Sequence, residues 1–145
     1  MSLDEKLQIP RPILDEMLAQ AVAELPNECC GLLAGREGRV THRYPLTNAL
    51  ASPVRYESDP RDLFAAYKDM RRHGTEEMAI YHSHPTSDPV PSRTDLERNF
   101  HGPDVIHIII TLKDGEPRIR AWRLGATSYV EVEWACLDTG GPTQA

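Results

Sequence analysis

The sequence predicts one α+β domain in which helices pack around a single curved, mixed sheet. Three observations lead there. The chain has 145 residues, enough for one domain with a sizeable core. Apolar residues recur at helical spacing in two stretches, each bounded by proline or glycine. Strand-length apolar runs stand between and after them, in the order helix, hairpin, helix, strand, helix, then a closing run of strands. No repeat or low-complexity tract divides the chain, so residues 1–145 read as one unit with its core at about 10–136.

Pro10 and Pro12 precede Ile13, Leu14, Met17, Leu18, Ala21, Val22 and Leu25, which share one helical face and predict a helix over about 12–25, ended by Pro26. Cys29 to Ala34 is a short apolar run expected to be a buried strand. Arg36-Glu37-Gly38-Arg39 then turns as a hairpin into Val40-Thr41-His42-Arg43-Tyr44. Residues 45–60 read as an irregular loop with a short strand at Val54 to Glu57. Ser58-Asp59-Pro60 opens a second helix, striped by Leu63, Phe64, Ala66, Tyr67 and Met70 and ended by Gly74. A strand through Met78-Ala79-Ile80-Tyr81 follows, then a third helix over about Ser92 to Phe100. Strands are expected over Val105 to Leu112, Arg118 to Leu124 and Tyr129 to Cys136, before a mobile Gly140-Gly141-Pro142 tail.

Composition narrows the partners. Net charge is −6 with no block of Lys or Arg, which argues against nucleic acid; Arg71-Arg72 sits late in a predicted helix, where the dipole favours cations anyway. No apolar run approaches the roughly 18 residues of a membrane span. The amino terminus, MSLDEKLQIPRP, lacks a basic region followed by an apolar one, so a cytoplasmic location is the expectation. The three cysteines form neither a disulfide framework nor a paired zinc-ribbon spacing. They read as reduced, mostly buried thiols.

The chemistry concentrates in Ile80 to Asp95, IYHSHPTSDPVPSRTD. In a strand, His82 and His84 share a face while Ser83 points away. Pro85 stops the strand, and Pro89 and Pro91 stiffen the loop. Ser92 is suited to N-cap the next helix, with Asp95 in its first turn. Two imidazoles and a carboxylate can therefore converge. A three-ligand set without a fourth protein ligand is how a catalytic zinc site keeps a position open for water. An isolated His-x-His at a strand end is ordinarily just polar; the ordered Ser92 and Asp95 give this one its meaning.

His82-Ser83-His84, seven residues, Ser92, two residues and Asp95 together resemble the His-x-His-x7-Ser-x2-Asp signature of the JAMM (MPN+) metalloproteases. Glu28, before Cys29-Cys30-Gly31-Leu32-Leu33, resembles the family's upstream catalytic glutamate, and the likeness runs over roughly residues 10–135. It implies a single JAB1/MPN-like domain, with one zinc per chain held by His82, His84 and Asp95 and water as the fourth ligand. It also implies Glu28 as general base and Ser92 as oxyanion donor. From residues alone Glu28, Glu57, Asp59, Asp88 and Glu97 could each be that base; Glu28 has the best case, as an acid at the mouth of an apolar strand. Asn48 resembles a position near the cleft and is carried as a substrate contact, although an Asn in such a loop ordinarily serves turn geometry. His42, His73, His101 and His107 read as structural or exposed. Cys29 and Cys30 lack a neighbour that would activate a thiol.

The chain is close to the bare family core, without room for the insertions that grip ubiquitin. It is similar to the compact bacterial Mec-like branch. The implied substrate is a small ubiquitin-like sulfur-carrier protein ending in Gly-Gly, from which cysteine or another adduct is released. A thin extended tail suits a narrow cleft and can pair along a strand edge. The alternative is a non-catalytic MPN interaction domain, against which every ligand is present. A zinc deaminase would need a Pro-Cys-x-x-Cys element that is absent. Oligomeric state stays open, a dimer included.

Overall fold

Prolines, glycines and apolar periods resolve, in a computed structural model that describes residues 6–138, into eleven elements. They are β1 (Leu7–Pro10), α1 (Arg11–Ala23), β2 (Cys30–Arg36), β3 (Arg39–Leu46), α2 (Pro60–His73), β4 (Glu76–His84), α3 (Arg93–Glu97), β5 (Ile106–Thr111), β6 (Arg118–Leu124), β7 (Tyr129–Val132) and β8 (Trp134–Leu137). The strands form one mixed sheet in the order β7-β6-β5-β4-β2-β3-β1-β8. β4 and β5 run parallel, as do β1 and both its neighbours.

The two edge strands are consecutive in sequence, with Glu133 alone between them. So short a link reaches from one edge to the other only if the sheet curls almost into a barrel. The curl encloses α1, whose Ile13, Leu14, Met17 and Ala21 are buried against Leu7, Ile9, Leu33, Tyr81, Ile108 and Ile110. Each Ile, Leu or Met among them contributes about 1.5–3 kcal/mol by leaving water. The outer face carries α2 through Ala66 and Met70, packed on Cys30, Leu32, Leu46 and Ile80. Cys29 and Cys30 thus belong to opposite faces, and all three cysteines are free thiols.

Two positions need glycine. The hairpin between β2 and β3 puts Glu37 at φ 53° and Gly38 at φ 79°, the paired left-handed geometry of a type I′ turn. Gly31 leaves room for the Tyr81 ring, whose Cζ would lie 2.2 Å from an added Cβ.

Several expectations are corrected. α1 stops at Ala23, and Val22 and Leu25 are exposed, 54 % and 46 %, rather than part of the buried stripe. Val54 to Glu57 is not a strand, because the backbone bonds of that loop go to the side chain of Asn48 instead of to a ladder. α3 ends at Glu97, with Leu96 its one apolar anchor in the core beneath. The single closing strand is two, on opposite edges of the sheet. β1 has no counterpart in the sequence reading: four residues running straight into a helix give too short a period to register. The Gly140-Gly141-Pro142 tail lies outside the described residues. Among the described residues no helix is long and apolar enough to cross a membrane.

Candidate metal centre

β4 delivers the two histidines. Its upper half alternates, with Ala79 and Tyr81 turned towards α1 and Ile80 turned towards α2. His82 and His84 continue the Ile80 phase and are buried at 0 % and 5 % exposure. Ser83 faces the other way, as its position between them requires.

Asp95 arrives from the first turn of α3. A capping box closes that helix end: Ser92 Oγ accepts from the Asp95 N–H at 3.0 Å, and Asp95 Oδ2 accepts from the Ser92 N–H at 2.8 Å. The same Oδ2 lies 3.3 Å from both His82 Nε2 and His84 Nε2, and the two nitrogens are 3.2 Å apart. A tetrahedral ion with bonds of ~2.0 Å holds its ligand atoms ~3.3 Å apart. Three ligand atoms at that spacing need a proton or a metal cation among them to offset the repulsion of their lone pairs. The donor set and its spacing therefore fit zinc. Among the described residues this is the only such group of metal-ligating side chains. Burial opposes charge on Asp95, but the imidazoles and the Ser92 N–H hold its carboxyl well below the usual carboxylate range.

The loop between β4 and α3 is pinned from the neighbouring strands. Thr111 Oγ1 donates to the Ser87 carbonyl at 2.6 Å, and Trp122 Nε1 donates to the Pro89 carbonyl at 3.0 Å. The Asp88 carbonyl, so held, lies 2.8 Å from His84 Nδ1 and accepts its hydrogen, which turns Nε2 to the centre. Tyr56 stacks on His82 with ring centroids 4.6 Å apart.

Glu28 comes from the turn before β2, which pairs with β4 through Cys30 opposite His82. It is 5 % exposed. Burial pushes its carboxyl up to about 8, countered by the nearby His84 and reinforced by Asp95, so the acid lies within electrostatic reach of two of those three side chains. Its backbone is staked on both sides. Its N–H donates to the Ser52 carbonyl at 2.9 Å, and its carbonyl accepts from Asn48 Nδ2 at 3.0 Å. Next to it, the Cys29 N–H donates to Ser83 Oγ at 2.8 Å, and the Ser83 N–H donates to the Cys29 carbonyl at 3.1 Å.

The fold thus brings Glu28, His82, His84, Ser92 and Asp95 to one end of β4. Asn48 is beside them but fully engaged: Nδ2 also donates to the Arg55 carbonyl at 2.9 Å, and Oδ1 accepts from the N–H groups of Leu50 and Glu57. Glu57 and Asp88 pair instead with Arg98 and Lys113, Glu97 with Arg93, and Asp59 caps α2. Cys29 and Cys30 are raised by burial to about 11 and about 12, which suits packing rather than nucleophilic attack. Sequence reasoning passed over Ser83, Tyr56, Thr111 and Trp122, none of which carries a motif; only the alternation of β4 hinted that Ser83 would meet a different neighbour. His42, His73 and His101 have partners in Thr41, Asp69 and Glu77. His107 is different: it is 2 % exposed, burial pushes it down to about 3, and its Nε2 has no partner.

Comparison with known proteins shows the family. The model of prokaryotic homologues of the JAB domain matches residues 10–125. A desampylase of Haloferax volcanii is 37 % identical over 113 residues, covering 76 % of this chain and 80 % of that one. A CysO-cysteine peptidase of Mycobacterium tuberculosis is 32 % identical over 121 residues, covering 81 % and 82 %. A solution structure of a Desulfitobacterium hafniense protein superposes with a TM-score of 0.84 at 32 % identity, over 96 % of this chain and 98 % of that one. Matched over most of its length by that family model and by relatives of this identity, the chain belongs to the prokaryotic JAB family, the JAMM/MPN type of metalloprotease.

Proposed function

We propose that the chain is a zinc peptidase that hydrolyses the amide or isopeptide bond after the C-terminal Gly-Gly of a small ubiquitin-like or sulfur-carrier protein, for example releasing cysteine. The observation that carries the reading is the 3.2–3.3 Å triangle of His82, His84 and Asp95 with a buried acid beside it. Support for the substrate comes from relatives named for removing such conjugates. One zinc per chain, with water at the fourth position, would supply positive charge that polarises a carbonyl and brings the pKa of that water to about 7.

The residues of the chain do the rest. Glu28 accepts the proton of the attacking water and passes it to the departing amine; burial raises its basicity, and a cation at the centre would favour its charged, proton-accepting form. Ser92 Oγ uses a lone pair on the Asp95 N–H, which leaves its O–H to donate to the oxygen that gains charge. The four bonds of Asn48 occupy its amide, so a role in holding Glu28 replaces, in this proposal, the contact with substrate. Ser83 ties the same turn to β4.

The test uses zinc-loaded protein and a panel of carrier–cysteine and carrier–lysine conjugates. His84→Ala should lose both zinc and turnover. Glu28→Gln should keep zinc and lose turnover by 10²–10⁴-fold. Intact conjugates beside turnover of an unrelated small substrate would remove the carrier reading, and a fully active Glu28→Gln would remove the base.

A further inference from the structure

Two buried ring nitrogens have no hydrogen-bond partner among the described residues: His82 Nδ1 and His107 Nε2. The first belongs to an imidazole whose Nε2 faces Asp95 and His84. A neutral imidazole that offers Nε2 to a metal carries its hydrogen on Nδ1, and that hydrogen needs an acceptor. For His84 the Asp88 carbonyl serves. For His82 no atom among the described residues does.

His107 stands on the next strand. β4 and β5 are parallel, with Ile80 opposite His107 and His82 opposite Ile109. His107 is therefore the diagonal neighbour of His82 on the same sheet face. No direct bond joins the two rings, and a water bridging two polar groups is nearly as favourable as a direct hydrogen bond. Tyr56, whose ring stacks on His82, lines a cavity of about 30 Å³ together with Asp95, His101 and His107, a volume that holds a water given polar partners.

We propose that His107 is a positioning residue for the metal centre, its Nε2 accepting the hydrogen of His82 Nδ1 through one ordered water. The relay holds His82 in the tautomer that turns Nε2 to the ion, as the Asp88 carbonyl does for His84. The inference rests on the zinc reading above and adds to it a partner for the one ligand that lacks one.

Zinc affinity measured by chelator competition tests it, on wild type, His107→Leu and His107→Asn. Leucine fills the space without an acceptor and should weaken zinc by about 10–100-fold. Asparagine restores an acceptor and should recover most of that loss. In parallel, imidazole nitrogen NMR of the zinc-loaded wild type should find His82 protonated at Nδ1 and metallated at Nε2. Unchanged affinity in the leucine variant, equal losses in both variants, or a wild-type His82 metallated through Nδ1 would each overturn the relay. A wild type that takes up no zinc removes the metal reading itself, and the relay with it. Zinc uptake by wild type with an indifferent leucine variant removes the relay alone.

Discussion

Glu28→Gln should make the metal-free protein more stable at high pH while removing the proposed base. Burial raises the Glu28 carboxyl from its ordinary 4.5 to about 8. Between those values the folded protein keeps a proton that the unfolded chain has released. The folded state then binds more protons, and stability falls as pH rises. The loss is absent below about pH 4.5 and complete above about pH 8. Three to four pK steps at ~1.4 kcal/mol each set a ceiling near 5 kcal/mol, and relaxation around the carboxylate brings the expected figure to about 2–3 kcal/mol. Glutamine has the same shape and no charge, so the gap between variant and wild type should be near zero at pH 4.5 and grow to that size by pH 9. Urea unfolding of both apo proteins across this range measures it. Zinc should narrow the gap, because a cation beside the carboxylate favours its charged form. A gap that fails to widen with pH, or that widens in the opposite sense, would refute the assignment of Glu28 as a buried, desolvated acid.

Three further outcomes are expected. Zinc at a hundred times its dissociation constant should add about 2.7 kcal/mol and raise the melting temperature of wild type by about 5–10 °C, with no shift for His84→Ala in calorimetry. Ser83→Ala strands the buried Cys29 N–H, at a cost of about 1–3 kcal/mol. Turnover should fall with zinc content unchanged, and wild-type turnover in that variant would show that the pin does not position Glu28. Gly31→Ala drives a Cβ into the Tyr81 ring, whose hydroxyl is held by Gln20 at 2.5 Å and Arg43 at 3.0 Å and has nowhere to retreat. It should destabilise by about 1–3 kcal/mol or more, and a melting temperature equal to wild type would mean the ring moves freely.

What the sequence determined by itself is local. His82 and His84 share a face because a strand has a period of two, the prolines after them break that strand, and Ser92 with Asp95 announces a helix start. These are properties of neighbours within a few residues, and they survive into the folded chain. The amphipathic period from Ile13 to Ala21 and the turn at Glu37-Gly38 were legible for the same reason. Only the tertiary structure decided what depends on contacts between distant residues. Tyr129 to Cys136 reads as one alternating strand, yet the curl of the sheet sends its halves to opposite edges. Ser83 touches Cys29 across 54 positions, Trp122 holds Pro89 across 33, and Glu28 comes to the same end of the sheet as His82 and His84 only because β2 lies beside β4. Burial sets the basicity of Glu28, and no run of neighbouring letters records how much water the rest of the fold excludes.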